Sequence, residues 1–232
     1  VAAGDVAPEP DPPYLVPAYR STELRSPRRP PLVLPATPTE RHGPLFGTER
    51  VRPEDADLTR QGAGEPIGER IVVHGRVVDA GGGAVAGRLV EVWQCNAAGR
   101  YAHDVDDHDA PLDPNFQGVG RCVTGADGSF RFVTIRPGAY PWRNHRNAWR
   151  PAHIHFSFFG RDFASRLVTQ MYFPGDPLLA HDPIFGSIRD RRAAENLVAS
   201  FDPEETVEEW ALGYRFDVVL AGRLATPFED GD

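Results

Sequence analysis

The sequence predicts an all-β protein: one β-sandwich, led by an extended arm and carrying a single helix in its C-terminal half. Three observations predict it. Thirteen of the 23 prolines precede Ile67. From Glu69 onward, short runs rich in Val, Ile, Phe and Tyr alternate with Gly and Asp-Gly turns, the texture of a sandwich or barrel rather than of βαβ units. One segment alone carries a helical stripe of apolar residues.

Residues 1–66 form the arm. Proline fixes φ and removes a backbone donor, so "PEPDPPYLVP" and "SPRRPPLVLPATP" favour extended, polyproline-like backbone over a regular helix or central strand. The arm still carries Tyr14, Leu15, Tyr19, Leu32, Val33, Leu34 and Phe46, so it is expected to pack on the core or on a partner. Residues 67–232 form the sandwich. Its strands are expected in "RIVVHGRVVDAGG", "GRLVEVWQCN", "GRCVTGADGSFRFVTI", "HIHFSFFG", "RLVTQMYF" and "YRFDVVLAG". Asp127-Gly128, between "RCVTGA" and "SFRFVTI", predicts a hairpin. "IRDRRAAENLVASFD" predicts the helix, with Ile188, Ala194, Leu197, Val198 and Phe201 along one face.

Composition narrows the function classes. A net charge of −8 and a pI near 5.5 argue against nucleic acid as a partner. No run approaches the ~18 apolar residues of a membrane span, and "VAAGDVAPEPDPP" lacks the basic start and apolar stretch of a signal peptide. A soluble, cytoplasmic protein is expected. All 25 basic residues are arginine, which removes P-loop, Schiff-base and Ser-Lys chemistry together. Cys95 and Cys122 are too few for a thiolate metal site and read as ordinary buried thiols.

The stretch "WRPAHIHFSFFG" carries the first chemical signal. On a strand, His153 and His155 project from one face, about 6.6 Å apart along the backbone. Burying two imidazoles without partners costs roughly 1–3 kcal/mol each, and a metal ion supplies a shared partner. Lone histidines such as His42, His74 and His181 are expected to be satisfied by ordinary hydrogen bonds. Carboxylates to complete a metal shell are scarce nearby, Asp162 being the one between His155 and Asp176. "YAHDVDDHDAPLDP" is rich in Asp and His, but Asp109 stands where a calcium-binding EF-hand loop needs glycine, so it reads as a solvated loop. Tyr101 at its head and Tyr140 in "GAYPWRN" are the further donors of interest.

Two resemblances follow from these stretches. The run from "HGRVVDAGGGAVAGRLVEVW" to "DGSFRFVTIRPGAY" is similar to transthyretin-like sandwich modules, many of which are structural or adhesive. More specifically, "GRYAHDVDDHDAPLDPNFQGVGRC", "IRPGAYPWRN" and "WRPAHIHF" together resemble the intradiol ring-cleaving dioxygenases, and the similarity runs through nearly the whole chain. That resemblance implies one non-haem Fe(III) per chain, held by Tyr101, Tyr140, His153 and His155. Tyr101 and His153 would be equatorial, Tyr140 and His155 axial, with hydroxide in the fifth place. It implies that Arg150 lies over the substrate ring beside Gln170, both with catalytic roles, and that Tyr19, Trp142 and Ile184 line the substrate pocket. Ala139 departs from the family, which usually has proline there.

The ligand set suits a ferric ion: two tyrosinates and a hydroxide supply three negative charges, and the histidines are neutral donors. A catechol that chelates through both ring oxygens has two protons to lose, and the resemblance makes Tyr140 a dissociable ligand that takes one. Arg150 would stabilise negative charge building on the ring as O2 attacks. The expected reaction is cleavage of 3,4-dihydroxybenzoate with O2 to 3-carboxy-cis,cis-muconate, beside a homologous iron-free α chain in a hetero-oligomer. Two alternatives stay open: an intradiol enzyme for another catechol, such as hydroxyquinol or an alkylcatechol, and a transthyretin-like binding module with a vestigial site.

Overall fold

A computed structural model describes residues 11–30, 50–143, 148–160 and 166–229. Leu32, Val33, Leu34, His42, Phe46 and Asp162 lie outside the described residues. Two sheets make the sandwich. The first joins β1 (Arg70–Val78), β4 (Ser129–Ile135), β9 (Ser200–Phe201), β10 (Leu212–Arg215) and β11 (Val218–Val219). β4 runs antiparallel along one side of β1; β10 and then β11 run parallel along the other. The second sheet has the order β3-β2-β7-β8, from β2 (Leu89–Trp93), β3 (Val119–Val123), β7 (His153–Phe159) and β8 (Arg166–Tyr172). All its pairings are antiparallel. A separate ribbon pairs β5 (Tyr140–Trp142) with β6 (Ala148–Arg150).

Alternation builds the core. Ile71, Val73 and Val77 of β1 and Phe130 and Phe132 of β4 meet Val90 and Val92 of β2, Ile154, Phe156 and Phe158 of β7, and Leu167 and Met171 of β8. The Phe156 and Phe158 rings stack at 5.2 Å, and Phe130 meets both edge-on. Truncating one such ring costs about 3–5 kcal/mol, so this face fixes the register of β7. With Ile154, Phe156 and Phe158 turned inward, period 2 turns His153 and His155 to the opposite face. The chemistry therefore lies outside the sandwich core.

Three expectations need correction. The Asp127-Gly128 turn forms, with Gly128 at φ +82° and its N–H donating to Gly125 O, but it joins strands of different sheets and not a hairpin. β4 is drawn to β1 by seven register pairs, while β3 stays on β2. The helix over residues 188–201 is shorter than the apolar stripe suggests: α2 spans Arg191–Glu195, capped by the Asp190 carboxylate. Beyond it, Leu197 O and the Ala199 N–H bond to the backbone of Tyr172. The chain thus leaves the helix to lie along the end of β8, and Phe201 enters β9. In the arm, Pro17 and Pro27 leave room between them for a five-residue helix, α1 (Ser21–Arg25). Its Thr22 hydroxyl donates to Tyr19 O and is buried. Among the described residues no helix is long and apolar enough to cross a membrane. Both cysteines are free thiols, pushed up to about 12 by burial.

Candidate metal centre

Two loops and one strand bring four donors together. The loop after β2 folds round Asn96, whose side-chain oxygen accepts the N–H groups of Ala98 and Arg100. Tyr101 leaves this turn with its own N–H bonded to Asp106 at 2.7 Å. The second loop, before β5, touches the first backbone to backbone: Gly138 N–H donates to Asn96 O, and the Cys95 thiol donates to Gly138 O. Glycine permits that contact, since a Cβ on Gly138 would stand 2.4 Å from Ala97 O. The two loops set the Tyr101 and Tyr140 rings edge to face at 5.7 Å. "YAHDVDDHDAPLDP" is thus more than a solvated run: Asp106 anchors Tyr101, and buried Asp113 accepts the Ile67 and Asn115 N–H groups.

The histidines meet the tyrosines from below. Tyr140 Oη lies 3.3 Å from His153 Nε2, and Tyr101 Oη lies 3.2 Å from His155 Nε2. Each close pair joins one donor expected to be axial to one expected to be equatorial. The His153 Nδ1–H donates to Pro151 O at 2.7 Å, and the His155 Nδ1–H to Glu229 Oε2 at 2.8 Å. Those bonds fix both tautomers and leave both Nε2 lone pairs pointing at the phenols, as in a metal-binding histidine whose other ring N–H is held by a carbonyl or carboxylate.

The spacing fits a shared cation. Two donors about 2.1 Å from one ion, at right angles, stand roughly 3 Å apart. No group of three or more His, Cys, Asp or Glu among the described residues could hold a metal, so any ion here takes the phenol oxygens. Burial holds both phenols above their ordinary value of 10.0, most strongly at Tyr101, where Tyr140 and Cys95 add to it. Burial, with Arg150 and His155, holds His153 well below 6.5. Both phenols and His153 are thus held in their neutral forms; ionising both phenols calls for a highly charged ion, and Fe(III) fits that demand.

Behind the donors stands Arg150, directly opposite Tyr140 across the β5–β6 ribbon. Its Nη2 reaches Gln170 Oε1, Tyr172 Oη at 3.1 Å and Asp182 Oδ2 at 2.9 Å. Its Nε is buried without a partner among the described residues; a buried donor left so costs about 1–3 kcal/mol, which a ligand can recover. The guanidinium lies 5.4 Å from the Trp142 ring, and Trp142 lies 4.8 Å from Tyr19 of the arm. Gln170 pairs with His155 across β7–β8. Ile184 is buried, its N–H on Asp182 Oδ1. All nine residues singled out in the sequence therefore lie in or against one neighbourhood.

Four others escaped the sequence. Trp93, opposite His155 on β2, stacks on that imidazole at 5.0 Å. Tyr172 was legible in principle, two residues after Gln170 on the same strand face. Asp182 and Glu229 reach the site from distant turns and left no local signal.

Residues 41–222 match a family model described as dioxygenase, and residues 8–37 match the N-terminal model of protocatechuate 3,4-dioxygenase beta subunits. The chain is 59% identical over 220 residues to the protocatechuate 3,4-dioxygenase beta chain of Burkholderia cepacia, covering 94% of this chain and 93% of that one. It is 28% identical over 215 residues to the alpha chain of the Pseudomonas putida enzyme, covering 85% of this chain and 98% of that one. Among solved structures, catechol 1,2-dioxygenase from Acinetobacter sp. ADP1, inhibited by bound mercury, matches with a TM-score of 0.54 at 27% identity. That match covers 71% of this chain and 56% of the catechol enzyme's, so the chain spans little more than half of its length.

Proposed function

The chain belongs to the intradiol ring-cleaving dioxygenases, and from that premise we propose that it is the iron-bearing chain of an enzyme cleaving protocatechuate with O2 to 3-carboxy-cis,cis-muconate. The observation that carries the reading is the convergence of two phenol oxygens and two imidazole Nε2 atoms beside a buried arginine. Tyr101, Tyr140, His153 and His155 would hold one Fe(III). Bound there, Fe(III) would supply the Lewis acidity that activates a dihydroxybenzoate ring toward O2.

The chain's own residues do the rest. Tyr140 Oη receives one hydroxyl proton of the substrate; it sits on a three-residue strand of a two-stranded ribbon, whose small hydrogen-bonded area leaves it freer to move than the β7 histidines. Arg150 is held by Gln170, Tyr172 and Asp182 in advance of the reaction, so its charge meets developing negative charge on the ring without reorganising. Trp142, Ile184 and Tyr19 give the pocket apolar walls that exclude water.

Tyr19 supports treating residues 1–66 as an arm laid over a catalytic domain of residues 67–232, because its ring rests on Trp142. The likeness to an alpha chain as well as to a beta chain supports a homologous iron-free partner in a hetero-oligomer.

The test uses purified, iron-loaded protein with and without that partner. A red to burgundy colour from phenolate-to-iron charge transfer and O2 uptake with protocatechuate are expected. A colourless iron-loaded sample would overturn the metal centre, and faster uptake with catechol or hydroxyquinol would overturn the substrate.

A further inference from the structure

The C-terminal segment enters the site from outside the sheet. After β11, Thr226 accepts the Val219 N–H on its hydroxyl, Thr169 donates to Pro227 O at 2.7 Å, and the Glu229 N–H donates to Val168 O. The Phe228 N–H is bonded to Asp11 of the arm at 2.9 Å. These bonds lay the tail along β8 and bring the Glu229 side chain, 12% exposed, onto the face that carries His155. One carboxylate oxygen accepts from His155 Nδ1–H, and the other accepts from Gln170 Nε2. Gln170 turns its own oxygen to Arg150.

Resting on the reading of the site as an iron centre, we infer that Glu229 is a positioning residue: it fixes the His155 tautomer and ties that imidazole, through Gln170, to the orientation of Arg150. The polarity of the chain of bonds demands an acceptor at both oxygens of residue 229. Gln170 cannot rotate its amide to relieve a mismatch, because its oxygen is committed to Arg150 and Tyr172. An amide at position 229 therefore faces a donor with a donor, either at His155 Nδ1 or at Gln170 Nε2. The histidine loses its fixed tautomer, or the arginine loses its support.

The experiment compares the wild type, Glu229→Gln and the double variant Gln170→Glu/Glu229→Gln as iron-loaded full-length proteins. The double variant restores a donor at 229 facing an acceptor at 170, leaves Arg150 an acceptor, and keeps the net charge. Iron release to a chelator and the visible charge-transfer band are read, with thermal melts to show that each variant is folded. Loss of an outer-shell partner typically weakens metal affinity 10–100-fold. Glu229→Gln is expected to release iron at least about ten-fold faster with a shifted band, and the double variant to recover most of both. Indistinguishable release and spectra in wild type and Glu229→Gln overturn the inference, as does a double variant no better than the single one. A wild type that binds no iron and shows no band fails differently, since it removes the metal centre itself.

Discussion

Gly99 presses on the neighbouring loop so closely that a Cβ added to it would stand 2.3 Å from Ala139 O, one residue before Tyr140. Its φ of +81° is also a left-handed conformation that side chains other than glycine's adopt at a cost. Gly99 thus sets how near Tyr101, two residues on, comes to Tyr140. Gly99→Ala is expected to cost about 1–3 kcal/mol of stability and to lower iron content disproportionately, because the loops must part. Denaturant midpoints and metal analysis of the same preparation check both halves.

Replacing Tyr140 by Phe removes the proposed proton acceptor while three donors remain. Iron retention is expected to persist, and single-turnover mixing with protocatechuate is expected to slow by roughly 10²–10⁴-fold, the usual weight of a positioned acid–base group. His153→Ala, which takes away a donor from a rigid central strand, is expected to lose iron altogether. If Tyr140→Phe lost its iron as completely as His153→Ala, Tyr140 would be structural and not the labile base.

Asp182 and Arg150 form an ion pair whose side chains are 0% and 3% exposed. Breaking such a pair leaves a buried charge uncompensated, so Asp182→Ala is expected to destabilise the fold by about 3–5 kcal/mol. Asp182→Asn keeps the shape and an acceptor, and is expected to cost less while raising the KM for substrate. Urea unfolding and steady-state kinetics separate these outcomes.

The iron-free protein should have a bounded window of pH stability. His153 is held well below its ordinary 6.5 by burial, Arg150 and His155. As pH falls through 6.5 the unfolded chain takes up a proton that the fold refuses, so stability drops. On the alkaline side, burial pushes Cys95 and Cys122 from 9.0 up to about 12, and Tyr101 and Tyr140 above 10.0. There the unfolded chain releases protons that the fold retains, and stability drops again as pH rises above 9.0. Each fully mismatched proton contributes a slope of about 1.4 kcal/mol per pH unit. Thermal melts of iron-free protein from pH 5 to 10.5 should show a plateau between those edges; a melting temperature still rising at pH 10 would contradict it.

Much of the site was legible because its donors are chemically conspicuous and locally patterned. His153 and His155 announce themselves by strand period, since their neighbours Ile154 and Phe156 are core residues. Tyr101 and Tyr140 were drawn in by the motifs around them. Glu229 was not: it meets His155 across 74 residues of chain, and nothing periodic marks such a contact. The helix over 188–201 was overread for a related reason. Its apolar residues do pack, Ala194 and Leu197 against Tyr172, but backbone bonds to Tyr172 end the helical ladder early.

The sequence by itself determined where the longer strands lie and which of their faces are apolar, because alternation is a local property, and the resemblance of its motifs to a family pointed to the donors for a ferric ion. Only the tertiary structure decided that β3 and β4 part into different sheets, that two glycine-permitted loop contacts bring the tyrosines together, and that Asp182 and Glu229 hold Arg150 and His155 in place. Those outcomes depend on which distant backbone and side-chain groups satisfy one another's hydrogen bonds, and that competition is settled only when the whole chain is folded.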